Sequence, residues 1–584
     1  MTPIDWLLVI LLNGICIGIG VFQSRGPQTS TDWFLAGRTL PWWMVGLSLY
    51  ATAIDSSDLV ADSGGIYSLG LTYLVTNWVG TVIGWILAAN VVVIPMYRLG
   101  MYTNAEYLEA RFGRAARVIS ALVQVQYRTM VLGIIANTLY LTLAIVCGWG
   151  ESAWWAVVFI ALIATLYTAW GGLKSVAVTD AFQSAVMLVA AFVLFAMVWN
   201  YVGGISGARA RLEAYDARLP AQILHVGHDQ VQSRDVSANT ALEIEGLLRL
   251  GGDYDPEAKT ISRTTPAWMV CLSLVIAGMA YSIVNHTQSM RMLGARSEWD
   301  LRMSVVVAAG VILVVTFLNL MIGAFGRAIY PDPSMMPGLE VALMKPDSIY
   351  PVLVRDLLPP IVKGLVVAGI LATSFSTFDS IGSTLSALIT RDIYARVIHA
   401  DGDDGHYLRF GRWLTPLIIF GSFAYVPFLQ GQGMLLFYLD LVGAFVVPLL
   451  TVYLMGALTS VHATSGLVGL VTGVLYGVVR LIAPFIAGRW GVALLPASMM
   501  DGFAAYPWSV FCTAVPMVLV SLRLGWNRPG ALRHEDQEGW LRDSQRAALA
   551  VSAGASAGGG AVLPLMLGAL IVVIGCVLSF VVFW

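Results

Sequence analysis

The chain has 584 residues, of which 58% are hydrophobic and 12% are charged, against a charged fraction of about 25% in soluble globular proteins. This composition predicts an integral membrane protein. The net charge of −2 and the absence of a Lys/Arg block argue against nucleic-acid binding. The five cysteines are spread singly, without CxxC spacing, so neither a disulfide framework nor a cysteine metal site is expected.

Apolar segments long enough to cross a bilayer as helices recur along the whole chain. There are about fourteen, near residues 5–23, 41–68, 71–98, 116–147, 153–170, 176–202, 266–290, 303–326, 359–390, 413–428, 434–457, 463–486, 504–522 and 562–583. The first has no basic leader and no good cleavage site, so we expect a retained helix and not a signal peptide. The pattern predicts an all-α polytopic membrane protein.

Basic residues collect in alternate short loops, as the positive-inside rule requires of cytoplasmic loops. The loops contain Arg98, Arg111, Arg114 and Arg117; Arg291, Arg296 and Arg302; Arg391, Arg396, Arg409 and Arg412; and Arg523, Arg528, Arg533, Arg542 and Arg546. Arg25, Arg38 and Lys174 fall on the same side. This arrangement predicts that both termini are extracytoplasmic, and that the polar insert 203–265 is a partly helical cap on the outer face.

Three carboxylates interrupt the second apolar segment. Asp55, Asp58 and Asp62 stand at i, i+3 and i+7, which places them on one face if the segment is helical. A charge at the bilayer centre costs about 2.5–3.5 kcal/mol, so such residues are functional candidates. Neighbouring Ser, Thr and Gly residues favour an unwound centre. We predict a cation or polar-solute site; the alternative, strongest for Asp62, is a cap at a wet helix end.

A second polar cluster lies in the segment near 359–390. Ser376, Asp379, Ser380 and Ser383 share a face by helical spacing, and hard oxygen ligands suit a small hard cation. Hydroxyls also serve as packing contacts between membrane helices, but that alternative leaves the carboxylate unexplained. We therefore favour a functional role for this cluster.

Asp180 follows the pair Gly171-Gly172, near the start of another span, where it is either functional or a partner of the helix dipole.

Polar interruptions near 50–65 and 278–288 each open a group of about five spans. Paired interrupted helices in two halves are typical of a transporter's central binding site, although channels also contain polar interruptions.

Four blocks resemble the sodium:solute symporters, which include sodium/glucose, sodium/proline and sodium/sialic acid cotransporters. The blocks are FLAGRTLPWW (34–43) with SLYA (48–51); YTAWGGL (167–173) with Thr179, Asp180 and Gln183; NHTQSMR (285–291); and Ser376-Thr377 through DIY (392–394). The resemblance implies a LeuT-type inverted repeat of five plus five helices, with 41–202 and 266–457 as the repeats. One extra helix precedes them, and 458–584 contributes about three accessory helices.

The resemblance also implies ion-binding residues. A sodium ion would be held by backbone carbonyls of the broken first core helix and by the eighth core helix, together with a nearby acid that is tied to sodium binding in proline-type members. The matching residues are Ala51, Ile54, Asp55, Thr373, Ser376 and Thr377. Some relatives hold a second sodium, for which the matching residues are Asp180, Ser376, Asp379 and Ser380.

The implied solute-binding residues are Asp58, Asn77, the aromatic gate Tyr281, and Asn285. This part of the match departs from sugar-type members, because Gly278 stands where an asparagine is expected and His286 where a glutamine is usual. Some sugar transporters also have a lysine in the seventh core helix, and none is found here. A sugar or polyol is favoured, with an amino acid or amine as the alternative.

The expected function is sodium-driven uptake of a small polar solute across the plasma (inner) membrane, with Na⁺ as coupling ion. Proton coupling through Asp55 or Asp379 is an alternative. An enzyme is not expected, because a membrane oxidoreductase needs paired ligands and only His286 of the seven histidines falls well inside a span. A channel or a sensor with the same fold remains a further alternative.

Overall fold

The computed structural model is nearly all helical and describes residues 1–23, 29–237, 239–430, 434–527, 532, 539–553 and 560–584. Of the basic residues assigned above to cytoplasmic loops, Arg25, Arg528 and Arg533 lie outside the described residues. The first part of the chain contains α1 (Pro3–Gln23), α2 (Ser30–Leu35), α3 (Trp42–Ala53), α4 (Ser56–Leu69), α5 (Val82–Leu87), α6 (Ile94–Arg98), α7 (Asn104–Phe112), α8 (Arg114–Val146) and α9 (Ala153–Val202).

An insert and a second helical part follow. The insert contains α10 (Gly204–Tyr215), α11 (Leu219–Ile223), β1 (Gln230–Asp235), α12 (Ala241–Leu248), β2 (Asp253–Asp255) and β3 (Thr260–Thr265). The remaining helices are α13 (Ala267–Val284), α14 (His286–Leu293), α15 (Glu298–Ile329), α16 (Ile349–Leu357), α17 (Val362–Leu388), α18 (Asp404–Gly421), α19 (Met434–Leu441), α20 (Val447–Leu458), α21 (Ser465–Trp490), α22 (Ala497–Met500), α23 (Ala505–Leu524), α24 (Gly539–Ala553) and α25 (Val562–Val577).

Within the described residues, eleven helices are long and apolar enough to cross a membrane. They are Pro3–Phe22, Thr76–Arg98, Arg114–Val146, Gly172–Val202, Ala267–Val284, Glu298–Ile329, Val362–Ile398, Met434–Leu458, Ser465–Trp490, Ala505–Leu524 and Val562–Val582. The other predicted spans coincide with the α3/α4 pair, the shorter apolar helix Gly150–Leu166, and α18. The total of fourteen stays a prediction.

The span Val362–Ile398, which contains α17, lies at the centre of the molecule, because 94% of its apolar 18-residue stretch is buried. It packs against α9, α1, α18 and α8. The corresponding stretch of the span that contains α25, in contrast, is only 17% buried, so that helix lies at the periphery. Residues of α17 therefore face protein on all sides, and its polar side chains must find partners on neighbouring helices.

Three helices are interrupted where the sequence predicts it. The chain leaves helical geometry between α3 and α4 at Ile54 (φ −113°, ψ 104°), and between α13 and α14 at Asn285 (φ −66°, ψ 104°). Helix α9 is broken at Gly172 (φ +62°, ψ −171°), a conformation that only glycine adopts readily. A Cβ at Gly172 would also lie 2.7 Å from Trp33 of α2, so a glycine at this position allows α2 to approach α9 closely.

The insert contains a small antiparallel sheet with strand order β1-β3-β2. Ser233 pairs with Ser262, and Tyr254 with Ile261. The insert is partly helical, in α10 to α12, but the sequence analysis missed these strands; its place as a cap on the outer face stays a prediction. Their sequences, QVQSRD and TISRTT, are polar and short, so they lack the apolar alternation that marks a half-buried strand.

Several arginines that were assigned to loops are instead buried in helices. Arg117, Arg291 and Arg391 are among the largest fully buried side chains. Each has a carboxylate partner. Arg117 Nε lies 2.6 Å from Asp392 Oδ1, and Arg291 Nη2 lies 3.2 Å from Asp180 Oδ2. Arg391 Nε lies 3.0 Å from Glu106 Oε1. Pairing balances the charge that burial would otherwise leave uncompensated. Arg291 lies in α14, and not in the loop that follows it.

Candidate functional site

The break between α3 and α4 is stabilised by reciprocal capping. Asp55 is the N-cap of α4: its carboxylate accepts a hydrogen bond from Ser57 N at 2.7 Å and is contacted by the Ser57 hydroxyl. The Asp58 carboxylate accepts from Asp55 N at 2.7 Å, which completes a capping box. Asp55 is therefore not on the helical face that was predicted, but it marks the predicted unwound centre.

Helix α17 reaches this break through Ser376. The Ser376 hydroxyl lies 3.1 Å from Ala51 O, the last-turn carbonyl of α3, although 325 positions separate the two residues. Ile54 and Thr373 line one small cavity between α3, α9, α15 and α17. The Thr373 and Thr377 hydroxyls donate to carbonyls of their own helix, Ile370 O at 2.7 Å and Thr373 O at 3.0 Å. One oxygen from each of two non-adjacent helices, Ala51 O and the Ser376 hydroxyl, therefore meets the other at the break, and sodium binding there stays a prediction.

The residues predicted for a second sodium lie on the other side of Ser376. The Ser376 hydroxyl lies 2.6 Å from Asp180 Oδ1 on α9, and the Ser380 hydroxyl donates to Asp379 Oδ1 at 3.0 Å. Arg291 contacts both groups, since its Nη2 donates to Asp180 Oδ2 and to the Ser380 hydroxyl. Sequence reasoning left Arg291 out of the site, because it treated this residue as a loop charge.

Three of the four predicted solute residues line one cavity beside the helix break. Asp58, Asn77 and Tyr281 lie on its wall together with Asp55 and Asp62, so the acids of α4 do converge. Asn285, the fourth, is not on the wall: it caps α14, where its Oδ1 accepts from Thr287 N at 3.1 Å. Its place at the second break gives it a role in shaping α14.

Tyr281 connects the two broken helices across the cavity. Its hydroxyl lies 3.4 Å from Thr52 O in α3 and accepts from Gln288 Nε2 in α14 at 3.2 Å. Close packing requires a glycine one turn earlier, because a Cβ at Gly278 would lie 2.2 Å from Thr76 O. An asparagine therefore does not fit at 278 in this arrangement.

Arg128 is a cavity residue that sequence reasoning missed. It lies in α8, is 3% exposed, and lines the same wall as the α4 acids. Its Nε and Nη2 have no hydrogen-bond partner among the residues that the structure describes. The sequence alone could have indicated Arg128, because an arginine within a long apolar segment is as unusual as an aspartate. The cavity therefore presents both acceptors and donors to a polar solute.

Comparison with known proteins identifies the chain's relatives. The family model described as "Sodium:solute symporter family" matches residues 33–473. A sodium/glucose cotransporter of Vibrio parahaemolyticus is 28% identical over 81% of this chain and 84% of the relative. Sodium/glucose cotransporter 1 of Sus scrofa is 27% identical over 83% of this chain and 73% of the relative.

A solved structure confirms the fold. A Na⁺-coupled sialic acid symporter in a substrate-bound, outward-open state matches with a TM-score of 0.70, at 18% identity, over 90% of this chain and 99% of that one. The predicted LeuT-type helical fold is therefore correct, with the helix count left open. Because the family model matches about three quarters of the sequence, this chain is a member of the sodium:solute symporter family.

Proposed function

We propose that the protein couples the entry of sodium to the uptake of a small polar solute, a sugar or polyol, by alternating access. The observation that carries the proposal is the contact of 3.1 Å between the Ser376 hydroxyl and Ala51 O, which brings two non-adjacent helices together at a helix break. The sodium/glucose cotransporters among the relatives favour a sugar. The proposed activity is transport alone, without chemical conversion of the solute.

The sodium site would use oxygens that already lie at this junction. Ala51 O lies 3.1 Å from the Ser376 hydroxyl, and Ile54 and Thr373 line one small cavity. The Ala51 and Ile54 carbonyls would contribute from the α3 side, and Thr373, Ser376 and Thr377 from α17. The threonine hydroxyls now donate within their helix, so their lone pairs remain available to a cation. An ion held by both helices favours the state in which they are together, and it leaves when they part.

The solute would occupy the adjacent cavity. Asp58 and Asn77 offer acceptors and an amide donor, Arg128 offers N–H donors, and Tyr281 supplies an aromatic surface on the same wall. Sugar hydroxyls both donate and accept, so they match this mixture. Asp55 lies on the cavity wall beside the broken helix. The proposed ion and solute sites would therefore be neighbours, and the ion would have a means to influence solute affinity.

An amine or amino acid is the second candidate, and the carboxylates favour it. Asp55, Asp58 and Asp62 line the same cavity, and a cationic group would balance their charge better than a hydroxyl. Each sodium ion that enters at −100 mV supplies about 2.3 kcal/mol from the potential alone. Either solute could be concentrated with that driving force.

We also propose the arrangement in the membrane. Repeats 41–202 and 266–457 would form the transport core, 203–265 an extracytoplasmic insert, and 458–584 an accessory region. Both termini would face outward in the plasma (inner) membrane, because the basic loops fall on one side.

Uptake into proteoliposomes tests the proposal. Purified protein is reconstituted, and a panel of labelled sugars, polyols, amino acids and amines is offered with an inward gradient of sodium, lithium or protons. We expect accumulation of at least one sugar or polyol only with sodium. Accumulation of amines alone would support the second candidate, and proton-driven uptake without sodium would contradict the assigned ion.

A further inference from the structure

The guanidinium of Arg291 lies inside the cluster that matches a second sodium site. Its side chain is 0% exposed. Its Nη2 lies 3.2 Å from Asp180 Oδ2 and contacts the Ser380 hydroxyl, while its Nε donates to the Ser48 hydroxyl at 2.9 Å. A positive charge on the protein itself therefore sits between α3, α9 and α17.

The carboxylate of Asp180 is already well satisfied by protein groups. Its Oδ2 accepts from the Ser48 hydroxyl at 2.5 Å and from Arg291 Nη2, and its Oδ1 lies 2.6 Å from the Ser376 hydroxyl. The Asp180 side chain is also 0% exposed, so this is a buried ion pair. Its negative charge is balanced within the cluster.

We propose that the Arg291 guanidinium takes the place of a second sodium ion, so that the protein binds and moves one sodium per cycle. This inference rests on the proposed sodium-driven transport and revises the expectation that Asp180, Ser376, Asp379 and Ser380 hold an ion. A second sodium would have to enter beside the guanidinium, where like charges repel strongly in a medium of low dielectric constant. If the ion displaced Arg291 instead, it would leave a buried charge unpaired.

A tethered cation also has a positional role. Arg291 Nη1 donates to Thr287 O at 3.0 Å within α14, which fixes the side chain relative to the second helix break. From there it contacts Ser48 of α3 and Ser380 of α17. Ser376 belongs to both this cluster and the proposed sodium site, so the guanidinium supports that site without leaving during the cycle.

Counting bound ions tests the inference. Purified protein in detergent is equilibrated with ²²Na⁺, and the number of ions bound per chain at saturation is measured. We expect one for the wild type and two for Arg291→Gln, because removal of the guanidinium frees the Asp180 carboxylate to hold a cation. Arg480→Gln is the matched control: it removes another buried arginine, paired with Asp440 at 2.9 Å, and should still bind one ion.

The outcomes separate the two proposals. Two ions bound to the wild type would overturn the inference while leaving sodium-driven transport intact, and this result does not depend on the folding of any variant. One ion bound to an Arg291→Gln protein that elutes as a single species would also overturn it. No bound sodium in the wild type would refute the proposed function, and the inference with it.

Discussion

Ser376→Ala removes a hydroxyl that lies 3.1 Å from Ala51 O and 2.6 Å from Asp180 Oδ1. The side chain is 0% exposed, so water cannot simply replace the lost oxygen. In the proposed site the hydroxyl dipole faces a full charge, and interactions of this kind contribute about 1.5–3 kcal/mol. Since each 1.4 kcal/mol is a factor of ten, the sodium concentration for half-maximal uptake should rise roughly tenfold to hundredfold.

The assay is initial solute uptake into proteoliposomes over a range of sodium concentrations, with choline replacing sodium to keep ionic strength constant. Ser374→Ala is the matched control, because it makes the same change on α17 at a buried hydroxyl that donates to Ile370 O of its own helix at 3.1 Å. Its sodium requirement should stay near the wild-type value.

Two results would refute the assignment of Ser376. The first is a sodium requirement within about twofold of the wild type, a change of only about 0.4 kcal/mol. The second is an equal rise in Ser376→Ala and Ser374→Ala, which would indicate a general disturbance of α17 and not the loss of an ion ligand.

Further predictions concern the solute, the fold and pH. Asp58→Asn should weaken solute binding while ²²Na⁺ binding is largely kept; the reverse would make Asp58 an ion ligand. Gly172→Ala should lower the free energy of unfolding by about 1–3 kcal/mol, and Gly421→Ala, whose Cβ meets nothing within 4 Å, should not, as thermal melts in detergent can check. Burial acts to raise the pKa of Glu109, but Arg117 and Arg396 together outweigh burial and hold that pKa below its usual value. The stabilisation from Glu109 is therefore present at neutral pH and is lost progressively as the pH falls from about 4.3, the usual value, through the lowered pKa. Glu109→Gln should therefore lower Tm more at pH 7 than at a pH of about 3.

The polar residues of the site were predictable because charges and hydroxyls are rare in membrane helices. The approach of Asp58 and Asp62 to one cavity follows from their spacing on α4, and the helix break follows from the residues around it. Asp55 reaches the same cavity from the break itself, as the N-cap of α4. The contact between Ala51 and Ser376 needed the resemblance to a known family, since no local pattern relates residues 325 positions apart.

Other features depend on tertiary packing and could not be predicted from the sequence. Arg291 was read as a loop charge because it lies near the predicted end of a span, where an exposed and a buried arginine look alike. Gly278 departs from the family pattern because α13 packs directly on Thr76 O, and only the structure shows that approach. The insert's strands escaped notice because they are held by backbone hydrogen bonds and little apolar burial.

Coupled flux tests the central claim most directly. ²²Na⁺ and a labelled solute are followed in the same proteoliposomes, using the solute that the uptake panel identifies. We predict that solute stimulates sodium entry, that sodium stimulates solute entry, and that the two enter in a fixed ratio of one to one. Sodium entry that is unchanged by solute, or solute uptake that continues in sodium-free buffer, would contradict the account.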